Sequence, residues 1–204
     1  MAEIVTIGVT GGIGSGKSVV SRVLRCNGFQ VYDCDLEAKK IMENDVFVRK
    51  GLENIIGQEA FLRNGKLNKK KISQEIYSDV SKREKVNSLV HEAVRKDIEK
   101  HRHENKGIFF IESAILYTGG INRICDKIWV VSSPLKERIK RVEERDKLSQ
   151  EEVLKRIQSQ ENEIPLSEKE MLIYIENDEN HQLLTKVLTL TNKYIENQNF
   201  EISC

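Results

Sequence analysis

A phosphate-binding loop of the G-x-x-x-x-G-K-[ST] type runs from Gly11 to Ser18, directly after the apolar run Ile4–Val9. Its glycines allow a sharp turn and a close backbone approach to phosphate that a Cβ would obstruct. The N–H groups of the loop and of the following helix can then point at an anion. Lys17 would reach the β- and γ-phosphates, and the Ser18 hydroxyl would ligate Mg²⁺. The sequence predicts a nucleoside triphosphate site formed by Gly12, Ile13, Gly14, Ser15, Gly16, Lys17, Ser18 and Val19.

A carboxylate stands at the end of the next apolar segment. Phe29–Tyr32 is predicted to be a short strand, and Asp33 follows it, 16 residues after Lys17. A carboxylate there can accept a hydrogen bond from an acceptor hydroxyl and orient it in line with the γ-phosphate, so Asp33 is the candidate base. The alternative is an N-cap for a helix that begins near Leu36. Asp35 fits that role better by position, and is otherwise a secondary ligand.

Arginines recur on a helix that is predicted to start at Pro134. Those spaced i, i+3 and i+7 share one stripe and are Arg138, Arg141 and Arg145. The apolar stripe of the same helix consists of Leu135, Ile139 and Val142. Arg156 lies in the next helix, so the two helices could fold over bound phosphates as a lid, with guanidinium groups binding phosphoryl oxygens. The alternative is a solvated basic face that is paired with Glu143 and Glu144.

Two further sets of residues leave their roles open. Glu112 follows a buried strand and would either join the Mg²⁺ shell or cap the next segment. His91 and Arg95 are four residues apart on one helical face, which suits a second anionic or polar substrate. A surface helix with salt bridges to Glu92 and Asp97 explains the same pair equally well.

Apolar segments alternate with helical ones along the chain. Further strands are predicted at Ile108–Ile111, Lys127–Val131 and Leu172–Ile175. The segment from Leu36 to about Asn105 is mainly helical, and Gln182 to about Glu196 is the last helix. Strands separated by helices imply an α/β fold with a parallel sheet and helices on both faces. Ligands then bind beyond the carboxyl ends of the strands, where the loop, Asp33, Glu112 and Ser132 all fall.

Local signals mark several helix ends. Gly28 is a plausible C′ residue that ends the helix after the phosphate loop. Ser133 and Pro134 form a predicted N-cap and N1 pair. Ser149 and Glu152 have the spacing of a capping box that opens a further helix.

The composition limits the possible functions. With 33 basic and 32 acidic residues the charge balance argues against a general nucleic-acid binder and leaves open only a local basic cleft. No apolar run approaches bilayer-spanning length, and the N-terminus enters a strand without a signal sequence, so a cytoplasmic location is expected. No cysteine pair has C-x-x-C spacing and the histidines lack metal-ligand spacing. Buried or incidental thiols in a reducing compartment are expected at Cys26, Cys34, Cys125 and Cys204.

Five motif elements occur in one order along nearly the whole chain. Ile7–Asp35 contains G-V-T-G-G-I-G-S-G-K-S and V-Y-D-C-D, and His91–Arg95 has the form H-x-x-x-R. Arg141–Asp146 and Arg156–Gln160 have the form R-x-x-x-R-D…R-I-x-x-Q, and Ile175–Asp178 has the form I-x-N-D. In this order they resemble the P-loop, D-x-D, H-P-x-x-R, lid and C-terminal elements of the dephospho-coenzyme A kinase family.

The resemblance implies a three-layer P-loop NTPase fold of the nucleotide-kinase type, with a parallel sheet, an inserted helical substrate domain and a helical lid. The core would comprise residues 1–35, 106–133 and 171–204, with 36–105 as the insertion and 134–165 as the lid. The implied reaction is the ATP- and Mg²⁺-dependent phosphorylation of the ribose 3′-hydroxyl of dephospho-CoA. Its products are CoA and ADP, and it is the final step of coenzyme A biosynthesis.

The resemblance also implies roles for individual residues. The catalytic set would be Asp33 as base, with Lys17, Arg141 and Arg145. Arg145 and Asn177 would join the loop in binding ATP. Dephospho-CoA would contact Asp33, Asp35, His91, Arg95, Arg141 and Arg156. The implied partner is this small molecule alone, without nucleic acid or membrane, for a monomer or small homo-oligomer.

A few positions depart from the family pattern. Val19 replaces a common Thr, Glu92 a Pro, and Glu179 a Gly, while Ser113–Tyr117 stands near the usual P-L-L-x-E. None of these changes removes a catalytic candidate, although substrate contacts carried over to Ser113–Tyr117 are put in doubt.

Three other functions compete with this one. Another small-molecule kinase would share the loop and the lid, but the D-x-D and H-x-x-x-R elements favour the CoA precursor. A GTPase switch would require N-K-x-D, whereas Asn192 and Lys193 are followed by Tyr194 and Ile195. A nucleic-acid motor is disfavoured because the chain is short and nearly neutral.

Overall fold

The computed structural model describes residues 4–160, 164, 171–178 and 183–198. The chain divides into two compact units, one formed by Met1–Tyr32 with Asn105–Cys204 and the other by Asp33–Glu104. The elements of the first unit are β1 (Val5–Thr10), α1 (Lys17–Cys26), β2 (Gln30–Asp33, whose last residue begins the second unit), β3 (Ile108–Glu112), β4 (Lys127–Ser132), α6 (Leu135–Asp146), α7 (Gln150–Gln158), β5 (Leu172–Glu176) and α8 (Leu183–Gln198). Those of the second unit are α2 (Cys34–Asn44), α3 (Val46–Ile56), α4 (Lys69–Ser78) and α5 (Val80–Glu104).

The sheet has five strands in the order β2-β3-β1-β4-β5. The pairs β1–β3, β1–β4 and β4–β5 are parallel, so the prediction of a parallel α/β sheet is confirmed. Val9 pairs in register with Glu112, and Thr10 with Val130. The strands therefore end close to the phosphate loop that follows Thr10. As predicted, Asp33, Glu112 and Ser132 are each the last residue of a strand.

The core of the first unit lies on the central strands. Phe110 of β3 is fully buried and makes edge-to-face contacts with Phe29 at 5.5 Å and with the fully buried Trp129 at 5.3 Å between ring centroids. Val20 and Leu24 of α1 pack into the same cluster, which explains why that helix needs its apolar face. This cluster fixes the strand that leads into the phosphate loop.

A second, smaller cluster joins α6 and α7. It consists of the buried side chains Val142, Val153 and Ile157, with Ile13, Ile139 and Leu148 packed against them. The predicted capping box of Ser149 and Glu152 is present at the start of α7. Two expectations for α6 are wrong. Leu135 is 52% exposed and does not join the apolar stripe. Pro134, with ψ 141, is itself the N-cap, so Ser133 lies outside the helix and is not the cap.

Acidic and amide caps organise the helical unit of residues 33–104. Asp45 and Asn68 cap α3 and α4 through their side chains, and Asp79 accepts a hydrogen bond from Lys82 N at the start of α5. Asp33 caps α2 by accepting from Leu36 N at 3.0 Å, so the expectation that Asp35 is the better cap is wrong. The reason is that α2 begins two residues earlier than predicted, which places Asp35 inside its first turn.

The glycine after α1 and the cysteines can also be compared with the predictions. Gly28 has φ +83 after the end of α1, as expected for a C′ glycine. Cys26 is exposed, Cys34 and Cys125 are buried, and none of the three forms a disulfide with another described residue. Glu179, Gln182 and Cys204 lie outside the described residues. No helix in the described parts of the chain is both long and apolar enough to cross a membrane.

Replacement of the central aromatic side chain tests this account of the core. We expect Phe110→Ala to lower the free energy of unfolding by about 3–5 kcal/mol, because it removes a fully buried ring that two other rings contact. The matched control is Phe47→Ala in α3, where the ring is 85% exposed and the change should stay within about 0.5 kcal/mol. Urea denaturation of both variants measures the difference, and equal losses would contradict it.

Candidate active site

The phosphate loop connects β1 to α1 in the conformation its glycines permit. Gly14 and Gly16 have φ +77 and +99, a region that disfavours residues with a Cβ. Gly16 is the N-cap of α1, no side chain caps the helix, and its first turn contains no acidic residue. The positive end of the helix dipole is therefore directed into the loop, as an anion site requires.

The polar side chains of the loop differ in exposure. Lys17 Nζ donates to Gly11 O at 2.6 Å and to Gly12 O at 3.3 Å, so the ammonium group lies along the loop. Ser18 is exposed at the start of α1, and Val19 is 45% exposed beside it. The hydroxyl of Ser15 is buried instead. Lys17 and Ser18 thus border the surface onto which the loop amides open.

Asn177 ties the loop to the edge of the sheet. Its Nδ2 donates to Ser15 O at 2.7 Å, and its backbone N donates to Ser132 O at 2.8 Å. A Cβ on Gly16 would lie 2.0 Å from Asn177 Nδ2, so this contact requires a glycine there. The I-x-N-D element therefore positions the phosphate loop from β5.

Arg141 of α6 connects the same elements. Its Nη2 donates to Asn177 O at 3.1 Å and to Glu137 Oε2 at 2.6 Å. Its Nη1 donates to Ser133 Oγ at 2.9 Å and lies 3.4 Å from Gly14 O. The Ser133 hydroxyl, expected to cap the helix, instead accepts from this arginine. Glu137 was not among the predicted site residues, although its i, i+4 spacing from Arg141 was visible in the sequence.

Asp146 holds two of the predicted lid arginines. Arg145 binds it through Nε at 2.7 Å and Nη2 at 3.0 Å, and Arg156 Nη1 lies 3.3 Å from its Oδ2. The hydrogen bonds from Arg145 hold the pKa of the Asp146 carboxyl below its ordinary value, and Asp146 in turn raises the pKa of Arg145. Both arginines are largely exposed, so their charged groups face solvent around a shared carboxylate.

Other predicted residues belong to the helical unit or to β3. Asp33 and Asp35 stand at the start of α2, and His91 and Arg95 are half-buried one turn apart on α5. Glu112 is half-buried at the end of β3. Within the described residues, no three His, Cys, Asp or Glu side chains form a group that could hold a metal ion. Of the proposed ligands, the Ser18 hydroxyl is the one placed at the phosphate loop.

The first unit thus offers one composite surface. Loop amides, an ammonium group and the Arg141 guanidinium come together at the carboxyl ends of β1, β4 and β5. Such a set can bind a chain of phosphates and compensate charge that develops on a transferred phosphoryl group.

The chain resembles known proteins in both its sequence and its fold. The family model for CoaE, dephospho-CoA kinase, matches residues 5–182. A dephospho-CoA kinase of Porphyromonas gingivalis is 42% identical over 149 residues, which cover 72% of this chain and 73% of the relative. The crystal structure of TT1252 from Thermus thermophilus has a TM-score of 0.79 and 29% identity, covering 94% of this chain and 97% of the other. A Campylobacter jejuni dephospho-CoA kinase shares the fold, with a TM-score of 0.63 and 20% identity over 97% of this chain and all of the other.

A single methyl group on Gly16 tests how the loop is positioned. We expect Gly16→Ala to weaken ATP binding about tenfold or more, because the Cβ would displace Asn177 and strain the backbone. Isothermal titration with ATP measures the dissociation constant. Gly28→Ala is the control, since Gly28 also has positive φ but nothing within 4 Å of the added Cβ. It should cost about 1–2 kcal/mol of stability and leave ATP binding unchanged; an equal loss of affinity in both variants would refute the role of the Asn177 contact.

Proposed function

The chain belongs to the dephospho-CoA kinase family, and we propose that it transfers the γ-phosphoryl group of ATP to the ribose 3′-hydroxyl of dephospho-CoA. The products are CoA and ADP, and the reaction completes coenzyme A biosynthesis. One observation carries the proposal: Asn177 and Arg141 join the phosphate loop to an arginine-bearing helix at the carboxyl edge of a parallel sheet.

ATP binding rests on the loop and on the residues tied to it. Residues Gly12 to Val19 form the proposed phosphate site, and Lys17 extends to the β- and γ-phosphates. Asn177 acts by positioning, because its side chain holds Ser15 O. Arg145 leaves Asp146 to bind the nucleotide, which is possible because that ion pair is exposed and exchanges readily.

Asp33 is the proposed catalytic base. Its Oδ1 accepts the Leu36 amide, which fixes the orientation of the carboxylate at the end of β2. Oδ2 receives no hydrogen bond from the described residues, so it can accept one from the 3′-hydroxyl. In a loose transition state the proton leaves late, so orientation of the hydroxyl contributes as much as basicity.

Helices α6 and α7, the described helices within residues 134–165, form the proposed lid over the phosphates. Arg141 and Arg145 neutralise charge on the transferred group, and Arg156 binds the acceptor side. The shared contact of Arg145 and Arg156 with Asp146 keeps both guanidinium groups on one end of the α6–α7 pair. Substrate phosphates would replace that carboxylate as their partner.

The chemistry of the donor set fits Mg²⁺. Ser18 offers an exposed hydroxyl in the first turn of α1, directly after the phosphate loop. Ser18 and the phosphates of ATP would hold the ion, which when bound neutralises charge on the β- and γ-phosphates. Glu112 is the candidate for a contribution through the ion's water shell.

The acceptor is assigned to the helical insertion, residues 36–105, together with the start of α2. Asp33, Asp35, His91, Arg95, Arg141 and Arg156 are its proposed contacts. Half-buried His91 and Arg95 suit the diphosphate or adenosine part of dephospho-CoA, since both side chains donate hydrogen bonds. The proposed enzyme is cytoplasmic and acts on this small molecule as a monomer or small homo-oligomer. Neither nucleic acid nor a membrane takes part in the proposed reaction.

A coupled assay with mass detection tests the reaction. The chain is incubated with ATP and Mg²⁺, and dephospho-CoA is compared with AMP, CMP and adenosine as acceptors. Turnover that depends on dephospho-CoA and yields a product one phosphoryl group heavier is the expected result. Turnover with AMP, CMP or adenosine but not with dephospho-CoA would be consistent with a kinase and would reject dephospho-CoA as the acceptor.

Removal of the charge on Asp33 tests the base. We expect Asp33→Asn to lower kcat by ~10²-fold or more while ATP affinity stays near that of the wild type. Asparagine caps helices as well as aspartate does, so α2 should be retained. Steady-state kinetics and ATP titration give the two quantities.

Asp45→Asn is the matched control for this substitution. Asp45 caps α3 as Asp33 caps α2, through Oδ1 and the amide of the third following residue, at 2.9 Å. Its replacement should leave kcat unchanged. An equal loss of kcat in both variants, or a parallel loss of ATP affinity in Asp33→Asn, would assign Asp33 a structural role.

The lid arginines are tested on α6. Arg145→Ala should lower kcat by ~10²-fold or more and weaken ATP binding far less, because the guanidinium acts mainly on transition-state charge. Arg141→Ala should also lower kcat more than it weakens ATP binding, although its ties to Gly14 and Asn177 add a cost in affinity. The control is Lys140→Ala, which removes an exposed charge from the same helix. An unchanged kcat in both arginine variants would indicate that α6 presents only a solvated basic face.

A further inference from the structure

One residue of the phosphate loop is held on three sides by groups from α6 and the end of α7. Ile13 lies between Gly12 and Gly14, so it carries the first side chain of the loop. Its N–H, its carbonyl oxygen and its side chain each contact a different group more than 100 residues away. Neither the phosphate-loop motif nor the arginine stripe requires these contacts.

Arg138 holds the carbonyl side of Ile13. Its Nε donates to Ile13 O at 2.9 Å, and its guanidinium lies directly on Gly12, where a Cβ would be 2.2 Å from Nη2. A Cβ on Gly14 would be 2.6 Å from the backbone oxygen of Arg138. The glycines on both sides of Ile13 therefore admit α6 as well as phosphate.

Gln160 holds the amide side of Ile13. Its Oε1 accepts from Ile13 N at 2.8 Å, just beyond the end of α7. The Ile13 side chain packs against the buried cluster of Val142, Val153 and Ile157 that joins the two helices. The hydrogen bonds and the apolar contact thus fix both the position of Ile13 and the tilt of the two peptide planes that flank it.

We propose that Gln160 and Arg138 are positioning residues, which set the direction of the loop amides through Ile13 and so couple nucleotide affinity to the α6–α7 pair. The proposal rests on the proposed function, because it takes ATP as the ligand of the loop. Peptide planes around Ile13 determine where the neighbouring N–H groups point, and phosphate binding depends on that direction. The final glutamine of the R-I-x-x-Q element thereby acquires a role at the phosphate loop.

The test replaces the acceptor oxygen without changing the size of the side chain. Gln160→Met should raise the dissociation constant for ADP and the KM for ATP about fivefold, with the KM for dephospho-CoA unchanged. It should also speed hydrogen exchange of the Ile13 amide, measured by NMR. Gln158→Met is the matched control, because Gln158 is an exposed residue of α7 two positions earlier, and it should match the wild type in every measurement.

A second variant separates geometry from charge. Arg138→Lys keeps the positive charge but loses the Nε donor that Ile13 O accepts. Arg138→Lys should also raise the dissociation constant for ADP several-fold. If Gln160→Met does not fold, this variant alone tests whether the contacts of Ile13 set nucleotide affinity. A purely structural role would lower thermal stability without changing the ratio of the two KM values.

Tight ADP binding by the Gln160→Met variant would contradict the proposal. If ADP binds Gln160→Met as tightly as the wild type or more tightly, while Ile13 exchange is accelerated, the Gln160 contact competes with nucleotide or is irrelevant to it. That result overturns the proposal. Failure of the wild type to bind ADP or to phosphorylate dephospho-CoA would instead reject the proposed function, so the two failures remain distinguishable.

Discussion

The close approach of neighbouring elements to the phosphate loop is the constraint on which the rest of the site depends. Asn177 reaches Ser15 O over Gly16, and Arg138 lies on Gly12. Each contact occupies the space of a missing Cβ. Glycines that suit phosphate binding therefore also let Asn177 and α6 pack onto the loop, and these contacts help to fix its shape. Contacts of this kind lower the cost of ordering the loop on binding, which is a form of preorganisation.

Charge compensation explains how so many cationic groups share one edge of the sheet. Arg141 is neutralised by Glu137, and Arg145 and Arg156 share Asp146. These partners lie on or next to the helix that carries the arginines, so neutralisation does not require the loop itself to be acidic. An anion that replaces Asp146 can draw on two guanidinium groups at once. The hydrogen bonds from Arg145 lower the pKa of the Asp146 carboxyl, which favours the ionised form that pairs with both arginines.

Much of the fold could be predicted from the sequence because strongly apolar strands and the loop motif are local signals. All five strands, their parallel arrangement and the position of Asp33, Glu112 and Ser132 at strand ends followed from such signals. The cap of α2 was misassigned because the signal for a helix start is accurate only to a few residues, and Asp33 and Asp35 are two apart. The roles of Ser133, Gln160 and Asp146 could not be predicted, since each depends on a contact with a side chain or backbone group brought near by folding.

Asp33 can serve both as the cap of α2 and as the proposed base because its carboxylate has one oxygen for each role. A carboxylate has two oxygens, and one of them satisfies a helix amide that would otherwise lack a partner. Its attachment there removes rotational freedom from the side chain, so the second oxygen is held in a fixed direction at the end of β2. A base that orients a hydroxyl gains from this restraint, because orientation of the hydroxyl contributes as much to the rate as basicity does. The helix start is thus part of the catalytic apparatus that we propose for this chain.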